Sequence, residues 1–311
     1  MEIKTYHNII NHLRYIIAGT EWEGHVYAVG GCVRDLMRQQ PIKDIDLVVD
    51  LPDGGIGFAR WLYENGHLYA EAIISSRFGT ASFRLKEYYN EWLDCVQTRS
   101  ESYVDRSSRN PVVEYGSIKA DAQRRDFTVN ALYHNVSTGF IWDSSGRGAD
   151  DIHNGVITTV ADPDIVFSDD PLRMLRCLRF SSRFGWEIDE KTMEGIRKNC
   201  DRLEIISTER INSEFSQMLC CQRATIAIDH LVNTGLMNKI MPEFMEIVGL
   251  KQNKYHFGDA YQHTMSVVDI CAQNGGDIVD MLAALLHDVG KGRTVSIDKD
   301  GTRHFIGHEL M

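Results

Sequence analysis

Residues 29–49 read VGGCVRDLMRQQPIKDIDLVV. A Gly30-Gly31 turn leads into a short helical pattern bearing Arg34 and Asp35, then into an apolar strand that carries Asp44 and Asp46. Residues i and i+2 of a strand point to one face, so the two aspartates project together while Ile45, Leu47 and Val49 go to the other side. Neighbouring carboxylates repel unless cations hold them, and hard oxygen donors suit Mg²⁺ shared with substrate phosphates. The glycines let the backbone come close to a ligand, and the helix behind them turns its first amides toward an anion. Turn, helix start and paired acids together read as a metal-dependent nucleotide site. Taken alone, the stretch also fits a solvated strand edge; the rest of the chain decides.

The chain has 311 residues, enough for two or three domains with sizeable cores. Hydrophobic residues make up 43% and charged residues 25%, an ordinary soluble composition. No run approaches the ~18 apolar residues of a membrane span, and the N-terminus has no signal-peptide pattern. It opens instead on an amphipathic helix, Ile9, Ile10, Leu13, Ile16 and Ile17, closed by Gly19. Seven cysteines without regular spacing read as reduced thiols in a cytoplasm, not a disulfide frame or zinc site. A net charge of −11 argues against a protein that coats nucleic acid, though not against one that grips a single RNA locally.

Working outward, residues 25–29 read as a strand into the Gly-Gly turn, LPDGGIG at 51–57 as a loop, and 58–65 as a helix. Residues 73–74, 80–85 and 92–98 read as strands, with RFGT at 77–80 as a turn. In the last strand Asp94, Val96 and Thr98 share a face, making Asp94 a third carboxylate opposite Asp44 and Asp46. The polar span 99–117 reads as a loop, and helical character is expected to return with ADAQRRDFTVNALYHNV from Asp121. From Ser168 to about Ile240 every strong pattern is helical, with Ser168 as an N-cap and Pro171 in the first turn. That helix carries Arg173, Arg176, Arg179 and Arg183 and no carboxylate between Pro171 and Gly185. One-signed arginines at this spacing suggest phosphate contacts, or ion pairs to a neighbouring element.

Four separated stretches occur in one order: GGCVRD with DID at 30–46, RRDFTVNAL at 124–132, DDPLRMLRCLRF at 169–180 and ERINSEF at 209–215. This order resembles the bacterial (class II) tRNA nucleotidyltransferase and poly(A) polymerase family, over roughly residues 25–240. The resemblance implies an α+β chain: a polymerase-beta-like head with a mixed sheet and helices at 1–150, a helical neck and body at 151–242, and a partial HD-type helical domain at 243–311. It implies that Asp44 and Asp46 bind catalytic Mg²⁺, with Asp94 as a further catalytic carboxylate. Gly30, Gly31, Arg34, Arg99, Arg124, Arg125, Asp126 and Asn130 would contact the nucleotide. Asp170 and Arg173 would read its base, since an acceptor-only and a donor-only side chain one helical turn apart can imitate a base edge. Arg176 and Arg179 would touch the nucleotide and Arg183 the RNA.

The activity implied is addition of CCA to tRNA 3′ ends from CTP and ATP, with the tRNA acceptor arm as partner, in the cytoplasm and without a membrane. Poly(A), CC- or A-addition is the sibling alternative. At the C-terminal end, YHFGDAYQHTMSVVD, LAALLHDVGKG and HFIGHELM resemble an HD domain, in which His263, His287 and Asp288 would begin a second divalent-metal site. The family's last aspartate is not visible before Met311, and Gly292 stands where a proline is usual. A shortened HD segment used for packing or RNA contact is therefore the alternative to an HD phosphohydrolase. From another class again, the chain would be an RNA-binding module.

Overall fold

The computed structural model describes residues 1–76, 79–102, 112–253 and 258–311. Part of the expected 77–80 turn, residues 103–111 and the start of the HD-like stretch at 254–257 lie outside the described residues. The chain divides into two compact units, Met1–Asp162 and Pro163–Met311.

The first unit is built on a seven-stranded mixed sheet. Its elements are α1 (Ile3–Ile17), β1 (Val26–Val29), α2 (Gly31–Met37), β2 (Ile45–Val49), α3 (Gly54–Glu64), β3 (Ile73–Ser75), β4 (Thr80–Phe83) and β5 (Leu93–Gln97). They continue with β6 (Arg99–Ser102), β7 (Val112–Tyr115), α4 (Ile118–Gln123), β8 (Leu132–Asn135), β9 (Ile141–Asp143) and α5 (Gly148–Asn154). The strand order is β3-β4-β5-β2-β1-β8-β9. Only β2 and β5 pair in parallel, Asp46 opposite Asp94; the other neighbours are antiparallel.

Alternation along these strands sorts the sheet into two faces. On the back, α1 buries Tyr6, Ile9, Ile10, Leu13 and Ile17, and the Tyr6 hydroxyl meets His134 Nδ1 of β8 at 2.8 Å. α3 packs on the same sheet, against β2, β4 and β5. A Cβ at Gly55 would lie 2.6 Å from the Val96 Cα, so only glycine lets α3 approach β5 this closely. On the front, Val29, Val48, Ala122 and Tyr133 form a buried cluster with Tyr27, Val96, Ile118 and Trp142 around it.

Four sequence expectations are corrected here. LPDGGIG is not all loop, because α3 already starts at Gly54. The loop expected over 99–117 is partly a ribbon: β6 and β7 pair from Arg99 opposite Tyr115 to Ser102 opposite Val112. It is a separate two-stranded sheet, outside the seven-stranded one. The helix expected from Asp121 to Val136 stops at Gln123, and Leu132–Asn135 becomes a strand beside β1. All four of its residues are buried, which erases the period of two that marks a half-exposed strand.

The fourth correction concerns Ser168, which lies inside α6 (Pro163–Asp169), a helix opened by a proline whose fixed φ suits the first turn. The arginine-bearing helix α7 (Leu172–Phe184) starts later, with Pro171 at its N-cap, and Asp170 just before it accepts from the Leu172 amide at 3.1 Å.

The second unit is helical. α7 buries Leu172, Met174, Leu175, Cys177, Leu178 and Phe180. α8 (Glu190–Asn199), α9 (Thr208–Leu219), α10 (Ala224–Thr234) and α11 (Leu236–Ile240) follow, with α9 and α10 packed on α7. α12 (Ala260–Gln273) and α13 (Ile278–Leu286) pair with each other, each opened by an aspartate capping box, and α14 (Lys291–Thr294) comes after them. All seven cysteines are free. Among the described residues no helix is long and apolar enough to cross a membrane.

Candidate nucleotide and metal sites

The register of β2 against β5 puts Asp46 and Asp94 side by side on the front of the head sheet. Asp44 stands just before β2, exposed, with Lys43 Nζ 3.6 Å from its carboxylate. Asp46 and Asp94 are also exposed. The protein around Asp46 strips away part of its water, and Asp94 and, more weakly, Asp44 add negative charge. Its carboxyl is therefore pushed above the ordinary aspartate range, with Arg125 opposing the shift. Asp94 accepts a hydrogen bond from the Ser82 hydroxyl on β4, a residue directly paired with it.

Gly30 closes over this group. Its φ of +77° is a left-handed value that favours glycine, and a Cβ there would lie 3.8 Å from both Asp46 Oδ2 and Arg125 Nη1. Gly31 opens α2 beside the Arg34 guanidinium. Arg34 is buried and holds two groups: Nε and Nη2 reach the Asp35 carboxylate at 3.0 and 2.9 Å, and Nη1 donates to Asn130 Oδ1 at 2.7 Å. Asn130 Nδ2 donates in turn to Asp126 Oδ1 at 3.1 Å, and the Phe127 amide caps the same oxygen. These three candidates thus form one interior network.

A second network is centred on Asp121, which is fully buried on α4, three residues before the RRD stretch. Oδ1 accepts from Arg124 Nε at 3.0 Å and from the Arg99 amide at 3.2 Å. Oδ2 accepts from Arg125 Nε and Nη2 at 3.1 and 3.0 Å and from the Tyr133 hydroxyl at 2.6 Å. Burial would push this carboxyl up, but Arg125 and Arg124 outweigh it and hold the pKa at about 2.

In the second unit, Asp170 accepts from Arg210 Nη2 at 3.1 Å, and Arg173 Nη1 donates to the Val166 carbonyl at 3.2 Å. Arg179 is buried, with Nε 2.6 Å from Glu214 Oε2, while Arg176 lies 3.9 Å from the other Glu214 oxygen. Arg210 and Glu214 both belong to ERINSEF, one helical turn apart on α9. Two of the four sequence motifs are therefore tied together by ion pairs. Arg183 is exposed, over the Phe184 ring at 5.2 Å.

His263, His287 and Asp288 offer donor atoms that all lie within 4.8 Å of one another, the one such set found among the described residues. Asp288 Oδ2 is 3.2 Å from His287 Nε2 and 2.7 Å from Lys291 Nζ, and His308 Nε2 is 3.4 Å from Oδ1. Burial opposes ionisation of Asp288, but the hydrogen bonds from His287 and Lys291 hold its pKa well below the usual range. The hydrogen bond to Asp288 raises that of His287.

Reading the sequence alone missed Asp121, Tyr133, Ser82, Glu214, Lys291 and His308. A signal existed for Asp121, three and four residues before an arginine pair, and for Glu214, inside a quoted motif. None existed for Ser82 or Tyr133, which depend on strand register.

Comparison with known proteins gives two family matches: the poly A polymerase head domain over residues 26–158, and the probable RNA and SrmB-binding site of polymerase A over 185–247. A CCA-adding enzyme of Geobacillus sp. is 34% identical over 252 residues, which is 80% of this chain and 57% of that protein. The tRNA nucleotidyltransferase cca2 of Schizosaccharomyces pombe is 35% identical over 229 residues, 68% of this chain and 46% of that protein. The chain thus spans about half the length of these curated relatives. A solved complex of a CCA-adding enzyme with CTP superposes with a TM-score of 0.68 at 26% identity, covering 91% of this chain and 61% of that one.

Proposed function

This chain belongs to the tRNA nucleotidyltransferase and poly(A) polymerase family, and from that premise we propose that it adds CCA to tRNA 3′ ends from CTP and ATP without a template. The observation that carries the reading is the level pairing of Asp46 and Asp94 on parallel strands, with Asp44 two residues upstream and a guanidinium facing them. The reaction joins an RNA 3′-hydroxyl to the α-phosphate of a nucleoside triphosphate and releases pyrophosphate. CTP binding by a 26% identical structural relative and the tRNA nucleotidyltransferase activity named for the yeast relative support the choice of substrates. A cytoplasmic location goes with the same reading.

The donor set fits magnesium: three exposed carboxylates, hard oxygens only, whose mutual repulsion a divalent cation would relieve. Asp44 and Asp46 would hold it. When bound, such ions supply charge neutralisation at the phosphates and lower the pKa of an attacking oxygen. Ser82 fixes the direction of Asp94. Gly30 leaves room for a phosphate against the backbone, and Arg124 and Arg125 contribute positive charge to meet it. On α7, Asp170 and Arg173 would read the base. Asp170 already accepts from Leu172 and Arg210, so base reading uses its remaining lone pairs or an exchange of Arg210.

The test uses three tRNA transcripts, ending at the discriminator base, after C and after CC, with Mg²⁺ and CTP, ATP or both. Single-nucleotide gels count the additions. Completion of CCA followed by arrest is the expected result; CC only, A only or long A tails reassign the chain to the corresponding sibling activity. The Asp44→Ala, Asp46→Ala double variant should incorporate nothing.

A second reading rests on the His263, His287 and Asp288 cluster. Two imidazoles and a carboxylate suit a transition metal in donor type and spacing, so a second divalent ion in the HD-type segment is part of the proposal. Lys291 already neutralises one Asp288 oxygen. Hydrolysis of phosphate esters that persists in the Asp44→Ala, Asp46→Ala variant would establish a separate HD activity.

A further inference from the structure

Arg125 is held by its inner edge. Nε donates to the Tyr133 hydroxyl oxygen at 2.8 Å and to Asp121 Oδ2 at 3.1 Å, and Nη2 donates to the same Asp121 oxygen at 3.0 Å. Tyr133 closes the triangle: its oxygen accepts from Arg125 while its O–H donates to Asp121 Oδ2 at 2.6 Å. The Arg125 carbon lies 5.2 Å from the Tyr133 ring centroid, a further constraint on the guanidinium plane. Nη1 makes no hydrogen bond to the described residues. It lies 3.8 Å from the place a Gly30 Cβ would take, and Asp46 Oδ2 is equally close to that point.

A free arginine has many rotamers to lose when it meets a ligand, and a clamped one has already lost them. Asp121 is suited to the clamp because it is wholly buried and stays ionised. Tyr133 is suited because its hydroxyl can accept and donate at once. Both groups are fully buried, so they act through Arg125 and not by meeting substrate themselves.

We propose that Asp121 and Tyr133 are positioning residues that hold Arg125 with Nη1 directed at a phosphate of an incoming nucleoside triphosphate beside Asp46. The proposal rests on the transferase reading and adds to it the residues that set triphosphate affinity through Arg125. Their effect belongs in binding more than in turnover, since the contact exists before the chemical step.

Asp121→Asn leaves two half-buried guanidinium groups short of charge and can fail to fold, so Tyr133→Phe is the primary variant. It keeps the ring that packs on Tyr27 and Trp142 and removes only the hydroxyl. The experiment is a cycle on the full chain: wild type, Tyr133→Phe, Arg125→Gln and the double variant, with Kd for CTP measured calorimetrically in Mg²⁺ without RNA, and KM and kcat measured with primer tRNA. Tyr133→Phe is expected to raise Kd and KM about fivefold, the scale of one net hydrogen bond, with kcat changed less than twofold. In the Arg125→Gln background the same substitution should change Kd by less than about twofold, because a group acting through Arg125 has nothing left to act on. Equal weakening in both backgrounds, an unchanged CTP Kd, or a loss confined to kcat would overturn the proposal. A wild-type chain that binds no triphosphate overturns the transferase reading and the proposal with it, and that failure shows before any variant is made.

Discussion

Asp94 takes a hydrogen bond from Ser82, which would direct a carboxylate on a strand that is otherwise free to turn toward water. Ser82→Ala is expected to lower single-turnover incorporation several-fold, roughly the loss of one hydrogen bond to a charged group, while the melting temperature stays put. Ser82→Thr should restore it, and an unchanged rate in the alanine variant would show that the hydroxyl does nothing for Asp94. Asp121 makes a prediction in pH. Its pKa is depressed from the ordinary carboxylate value near 4 to about 2, so its ionised form stabilises the fold above the unfolded value. That contribution is lost as pH falls through the folded pKa. Denaturant unfolding should find Asp121→Asn well below wild type at pH 7, with the gap narrowing between about pH 4 and pH 2. A gap that stays constant across this range would mean the aspartate acts by shape alone. Asp44, Asp46 and Asp94 were legible in the sequence because strict alternation gives each a face. Asp121 is legible only as an acid ahead of an arginine pair; its burial depends in part on Tyr133 of β8, a strand whose pattern reads as helix.

At the scale of elements, what sequence pattern reveals depends on how many sides of an element are buried. The helix α1, apolar on one stripe, and the strands β2 and β5, polar toward the front, were readable. β8 was not, being buried throughout, nor was the β6–β7 ribbon, which stands apart from the seven-stranded sheet. The same limit hid why α7 carries arginines without carboxylates: the compensating acid is on α9. Arg179 with its partner Glu214 is buried, so removing the acid strands a charge in the second unit. Glu214→Ala is expected to destabilise that unit by roughly 3 kcal/mol, while Arg179→Met, which removes the charge and keeps the volume, should cost the Glu214→Ala variant nothing further. Thermal melts of both decide it; if Glu214→Ala alone is neutral, the pair does not hold α7 to α9. In the head, Gly55→Ala would set a methyl group against the Val96 backbone and force α3 off β5. A loss of about 1–3 kcal/mol is expected, with incorporation falling in step because β5 carries Asp94.

At the scale of the whole molecule, two kinds of donor set lie in separate units. The head presents only oxygen donors, spread along a sheet face; the second unit presents imidazoles gathered around one carboxylate. Oxygen sets favour magnesium and imidazole sets favour later first-row metals, so on the proposed reading the two sets in this chain would take different ions. Its net charge of −11 fits this economy, since positive charge is spent locally beside acids and not as a general coat. The consequence is separability. Asp46→Ala should abolish incorporation while leaving Mn²⁺ or Zn²⁺ binding, measured by equilibrium dialysis, at its wild-type stoichiometry. His287→Ala should remove that bound ion and leave nucleotide addition close to wild type. Lys291→Ala is the sharper probe of the second site. With the ammonium gone, Asp288 keeps its charge but loses its neutralising partner 2.7 Å away, so metal affinity should rise. A fall in affinity would mean that Lys291 organises the imidazoles and does not compete with an ion. Incorporation lost equally in Asp46→Ala and His287→Ala would mean the two units share one chemistry.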